Sequence, residues 1–335
     1  MSSKKDLSIE TLRGIAILLV VIGHVIGSAA DGGMKINFPH PLRYLYVWID
    51  YIQMPLFTAI AGWVYALKLF SFTISFSEFA RKKALRLLVP MAIIGTLYFG
   101  VQYLMPGTNS KGELSQMWRI YIFPYTIYWY LPSLFLIFIV QWWIDRYRKM
   151  ETFAQWGGWC VIAVVLSLTN DEGFMHSLPN IFSFKGALGQ LPYFFAGVAA
   201  YRFSSILYHS IFVKWIMWAM LILGLILIQI VWFYPSEHAF CRLFYPITLI
   251  PTLFLLLSLQ WHHRFFIWIG GYAYSIYLFH GFGTSGGRIV LNMIGVKAII
   301  PICIFASFIA TICPIVVDMV VSRFRLGRRL LLGKR

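Results

Sequence analysis

Charge is scarce in this sequence. Of 335 residues only 12 % are Asp, Glu, Lys or Arg, against about 25 % in ordinary globular domains. Acids are the scarcer sign, 12 against 28 basic residues, for a formal net charge of +16. A soluble chain that is 60 % apolar would expose adhesive surface and aggregate. This apolar composition disfavours a soluble enzyme, a disordered regulator, a disulfide scaffold and a nucleic-acid-binding domain, and the basic excess reads as the positive-inside bias of a membrane protein, so no nucleic acid is expected as a partner. Cysteine is also sparse. Cys160, Cys241, Cys303 and Cys313 show neither metal-ligand spacing nor a paired framework. There is no P-loop, no GxGxxG, no zinc motif and no GxSxG elbow, and no metal is expected.

Long apolar runs are what the chain has instead. Ten can be drawn, at residues 11–30, 44–67, 84–105, 125–144, 154–170, 184–201, 215–233, 243–261, 265–283 and 297–320. Each approaches the roughly 20 residues needed to cross a bilayer as a helix. Backbone groups in lipid must be satisfied within the segment, and unbroken apolar runs fit helices, not alternating barrel strands. The fold class is therefore an all-α integral membrane protein of about ten transmembrane helices, one domain over 1–335. Lys4 and Lys5 before the first run, and Ser28-Ala29-Ala30 after it, loosely resemble a signal peptide. Gly23 and His24 inside the run, and the similar spans that follow, favour a retained first membrane helix.

Alternating from a cytoplasmic N-terminus puts 20 of the 28 basic residues on the cytoplasmic side and eight on the other. The positive-inside bias thus supports both termini in the cytoplasm and an even number of spans. The tail 322–335, basic with interspersed leucines, is expected to form a short cytoplasmic helix on anionic membrane lipids.

Polar residues within the spans stand out. Arg13 and His24 are 11 residues apart on the first helix. At 3.6 residues per turn they share one face to within about 20° and lie about 16 Å apart along the axis. Arg13 falls near the inner boundary, with Glu10 one turn away, and His24 near mid-membrane. Arg13 reads either as a snorkelling anchor or as a functional cation, His24 either as an inter-helix hydrogen bonder or as a proton acceptor. Ser275, Tyr277 and His280 put hydroxyls and an imidazole on the ninth span. Arg81, Lys82, Lys83 and Arg86 form a basic cluster at the inner end of the third span, either a topology anchor or a phosphate site. Asp50 near the outer end of the second span reads as a substrate or imidazole partner or as an interfacial residue, and Trp129, within Tyr128-Trp129-Tyr130, as a substrate contact or an interfacial aromatic.

Taken in order, these motifs resemble the integral-membrane acyltransferase-three family, which includes bacterial enzymes that O-acetylate surface polysaccharides. The resemblance runs over about residues 9–283. It rests on Leu12-Arg13-Gly14 with His24, Met54-Pro55-Leu56-Phe57 through Ala61-Gly62-Trp63, the cluster ending Arg86-x-x-x-Pro90, Tyr128-Trp129-Tyr130-Leu131, and Ser275-Ile276-Tyr277-Leu278-Phe279-His280. It implies that Arg13 and His24 are essential, His24 as the catalytic base. The family's Arg-x-x-Arg maps onto Lys83-Ala84-Leu85-Arg86, with lysine in the first place. Ala61 stands where many relatives carry serine, so no serine role transfers.

The resemblance implies acetyl-CoA as donor and a hydroxyl of a cell-surface or lipid-linked glycan, such as lipopolysaccharide, as acceptor, in a bacterial inner membrane. The cluster 81–86 is then expected to hold the donor's phosphates, with Tyr277 or His280 stabilising the oxyanion and Asp50, Ser275 and Trp129 contacting substrate. Transfer can be direct or pass through an acyl-histidine relay. A reading from another class is a proton-coupled transporter or glycan flippase, since intramembrane charge and histidine also mark transport.

Overall fold

The computed structural model describes residues 6–28, 32–68, 73–109, 113–172 and 174–334. Lys4, Lys5, Ala29, Ala30, Lys111 and Arg335, which entered the charge and cleavage readings, lie outside the described residues. Among the described residues there is no strand.

The expected spans are helical over most of their length: α1 Leu7–Ile26, α2 Pro41–Ala66, α3 Phe76–Leu104, α4 Tyr130–Arg146, α5 Phe153–Glu172, α6 Phe184–Arg202, α7 Ile211–Phe233 and α8 His238–Ser258. They continue with α9 Arg264–Gly271, α10 Ala273–Met293, α11 Ile299–Val321 and a short α12 Arg325–Leu330. Among the described residues, seven helical stretches are long and apolar enough to cross a membrane. The other long helices, α2, α6 and α10, carry more polar residues and pack in the middle. α6 is buried almost without interruption from Leu191 to Ala200, as expected of a helix enclosed on all sides, here by α2, α4, α5 and α8. α7 and α11 turn Trp215, Ile222 and Ile226, and Ile304, Phe308 and Val316, outward, the surface a bilayer requires.

Two boundaries differ from expectation. α3 begins at Phe76 rather than at residue 84, because Ser75 caps it by accepting from the Glu78 N–H at 3.3 Å, and its first turns are charged. The ninth span breaks at Tyr272 into α9 and α10, and α10 runs on to Met293. Most of 284–296, expected as an outer loop, is therefore helix. Its glycines allow close packing: a side chain at Gly283 would come within 2.4 Å of the Ala310 Cα on α11.

The start of α1 defines one end of the bundle. Arg86 and the segment after α12 lie at that end. Arg43 and Arg288 lie at the opposite end, where they donate to carbonyls of Gly27 and Gly33 in the α1–α2 connection. The tail does contain a short helix, but it does not simply rest on a surface. Leu332 beyond it is fully buried, and Lys334 pairs with Asp318 of α11.

Candidate active site

α1 is capped at its start by Asp6, which accepts from the Ser8 and Ile9 N–H groups at 2.9 and 3.3 Å. This cap fixes the helix that carries both Arg13 and His24. Arg13 donates to Glu10 at 2.9 Å, and the other Glu10 oxygen is buried without a partner. Exposed Arg86 lies close enough to Arg13 for the two guanidiniums to repel. Two cations share one acid here, which leaves an excess positive charge at the basic end, and arginine's planar fork suits phosphate or carboxylate.

The basic cluster does not act as one unit. Lys82 pairs with Glu78 on its own helix, and Arg81 is exposed. The Lys83 ammonium sits 3.2 Å from the centroid of the Phe138 ring and 5.5 Å from that of Phe79. Of the four expected phosphate cations, the structure brings Arg86 to Arg13 and turns Lys83 toward α4.

Farther along α1, half-buried His24 lies beside His280 of α10, ring centroids 5.1 Å apart. His280 is fully buried. Its Nδ1 is 2.8 Å from the Tyr277 carbonyl and 3.1 Å from that of Ile276. Carbonyls only accept, so Nδ1 carries the proton and Nε2 keeps a lone pair. That Nε2 has no hydrogen-bond partner. In this tautomer His280 offers an acceptor beside His24, not an oxyanion donor.

The other expected residues divide between site and scaffold. The Tyr277 hydroxyl donates to the Ile127 carbonyl, and Tyr128 donates to Leu278 O at 3.0 Å. This reciprocal clasp fixes α10 against the segment before α4 and uses the Tyr277 hydroxyl. The Tyr277 ring packs against Phe57 and Tyr130. Ser275 donates to Asp318, a contact between α10 and α11. Trp129 lies against α6, where a side chain at Gly186 would meet its ring at 2.6 Å. Asp50 is exposed and accepts from the Tyr46 hydroxyl at 3.2 Å and weakly from Gln53 at 3.4 Å.

Sequence reasoning missed Gln53. It is buried, its Oε1 has no partner, and a side chain at Gly23, next to His24, would lie 2.5 Å from that oxygen. An amide in an apolar span was the available signal. Arg43 was missed as well. Buried at the opposite end, it donates to the Ile36 and Gly27 carbonyls at 3.0 and 2.7 Å and so closes the end of α1 just beyond His24.

The profile of a family described as an acyltransferase domain matches residues 6–319. Over 170 residues the chain is 25 % identical to the nodulation protein NolL of Mesorhizobium japonicum, a match that takes in 50 % of this chain and 42 % of that protein. The chain thus spans less than half the length of that relative. No solved structure matches. Arg13, His24, Arg86 and His280 all fall inside a family match that covers nearly the entire membrane bundle, and the chain belongs to the acyltransferase-three family of integral-membrane acyltransferases.

Proposed function

We propose that this membrane acyltransferase moves an acetyl group from acetyl-CoA, bound at the basic end, to a hydroxyl of a cell-surface or lipid-linked glycan, with that end facing the cytoplasm of a bacterial inner membrane. One observation carries the reading: α1 carries both Arg13, whose charge interacts with that of Arg86 on α3, and His24, whose ring lies beside that of His280 on α10. The cations suit the donor's phosphates. The acyl end then reaches toward the histidines.

A sugar hydroxyl holds its proton tightly at neutral pH, so attack on the thioester carbonyl needs a base. His24 takes that proton as the ester bond forms, and the thiolate that leaves recovers it. The unpartnered Nε2 of His280 is the acceptor available to the His24 ring N–H, and it favours the imidazolium that forms during transfer. Asp50 and Gln53, on the opposite-end side of His24, supply acceptors for sugar hydroxyls.

The test is mass spectrometry of surface glycan from cells with and without the gene, together with donor consumption in isolated membranes. Glycan heavier by one acetyl group and glycan-dependent loss of acetyl-CoA are expected. Glycan of unchanged mass with no donor consumed overturns the reading.

A further inference from the structure

Arg86 lies four residues before Pro90 on α3. In an uninterrupted helix the N–H of residue 90 would donate to the carbonyl of residue 86, but proline has no N–H. The Arg86 carbonyl therefore loses its helical partner in mid-helix, at the place where a proline lets a helix bend. The Tyr274 hydroxyl of α10 donates to that same carbonyl.

A second contact converges on Arg86 from the segment after α12. Leu332 is fully buried. Gly333, at φ 56°, lies so close to α3 that a side chain there would come within 2.6 Å of the Arg86 carbonyl oxygen and 2.9 Å of its Cα. Lys334 ties the segment down, donating to the two Asp318 oxygens at 2.7 and 2.5 Å. Asp318 is 3 % exposed and also accepts from Ser275 and, at 3.0 Å, from Ser322. A buried carboxylate in an apolar helix is costly unless paired. Its ionic partner here belongs to the strap that lies on Arg86.

An exposed guanidinium on a long side chain is not held by packing of its own, so its aim depends on the backbone beneath it. We propose that Tyr274, together with the Asp318–Lys334 pair acting through the strap 331–334, positions the backbone at Arg86 so that its guanidinium faces the donor opposite Arg13. These are positioning residues, and the proposal rests on the reading of Arg86 as a donor-binding residue.

The test uses the full chain, purified in detergent. Donor KM, acceptor KM, kcat and equilibrium acetyl-CoA binding are measured for Tyr274→Phe, Lys334→Ala, Lys334→Arg, Arg86→Ala and the doubles with Arg86→Ala. Tyr274→Phe and Lys334→Ala are each expected to raise donor KM about three- to tenfold, the equivalent of one hydrogen bond, with kcat and acceptor KM little changed. Lys334→Arg restores the original donor KM. In the Arg86→Ala background neither substitution weakens donor binding further, since both act through the lost guanidinium.

If Arg86→Ala itself leaves donor binding intact, the donor-site reading fails. If Arg86→Ala weakens donor binding while Tyr274→Phe and Lys334→Ala do not, or if their losses add fully to it, positioning is overturned and the donor site stands. A merely structural tether would lower melting temperature and active fraction without moving donor KM, which also overturns the proposal. Should Lys334→Ala not fold, Tyr274→Phe, which removes a single oxygen, decides alone.

Discussion

At the scale of single residues, the two imidazoles differ in how they are held. His280 is fixed by carbonyls of its own helix and fully buried, whereas His24 is only half-buried. That asymmetry favours His24 as the group that gains and loses a proton. His24→Gln keeps polarity but cannot accept a proton at neutral pH, so transfer should fall by about 10²–10⁴-fold with acetyl-CoA binding retained. A well-expressed variant that transfers at the original rate would remove the base from the mechanism. Lys83 makes the opposite case. With its ammonium over the Phe138 ring, Lys83→Ala should lower stability by about 0.5–2 kcal/mol, read by thermal unfolding, and leave donor affinity nearly unchanged. A drop in affinity as large as that of Arg86→Ala would return Lys83 to the phosphates. Arg13 and His24 stood out in the sequence because a charge and an imidazole on one face of an apolar helix are costly to keep there. The partner of the Arg86 carbonyl was not. Proline at 90 announces an unpaired carbonyl, but which side chain reaches it depends on how α10 and α3 pack.

At the scale of helices, the apolar runs located every long element, because each helix that meets lipid must be apolar along most of its length. Their ends were less visible. Capping at Ser75 and close packing at Gly283 extend α3 and α10 through residues that read as loop. Contacts between helices at the basic end were invisible in one dimension. Arg202 of α6 grips Asp145 of α4 through two bonds of 2.7 and 2.6 Å, and Gln141 donates to the same carboxylate at 3.0 Å. Their side chains are 17 % and 7 % exposed, so Arg202→Ala strands a buried carboxylate and should cost about 3–5 kcal/mol. Replacing both partners, Asp145→Leu with Arg202→Met, should recover much of that loss. Denaturation in detergent distinguishes the cases. If the double variant is no more stable than Arg202→Ala, the pair is not the source of the cost.

At the scale of the whole molecule, function depends on which end faces the cell interior. The fold gathers Arg13, the cluster 81–86 and the strap 331–334 at one end, and Arg43 and Arg288 at the other. In the proposed orientation the first end, richer in Lys and Arg, faces the cytoplasm, where a nucleotide thioester is available to donate. Single cysteines test this directly, in a background where exposed Cys313 is replaced by serine. Lys297→Cys follows α10 at the opposite end, and Leu326→Cys, on a residue 70 % exposed, sits on α12 at the basic end. In intact cells a membrane-impermeant thiol reagent should label the first and reach the second only after the membrane is opened. The reverse pattern would place Arg13 and Arg86 outside the cytoplasm. A cytosolic acyl donor would then be unable to reach them, and the proposed direction of transfer would have to be abandoned even though the fold and the family assignment stood.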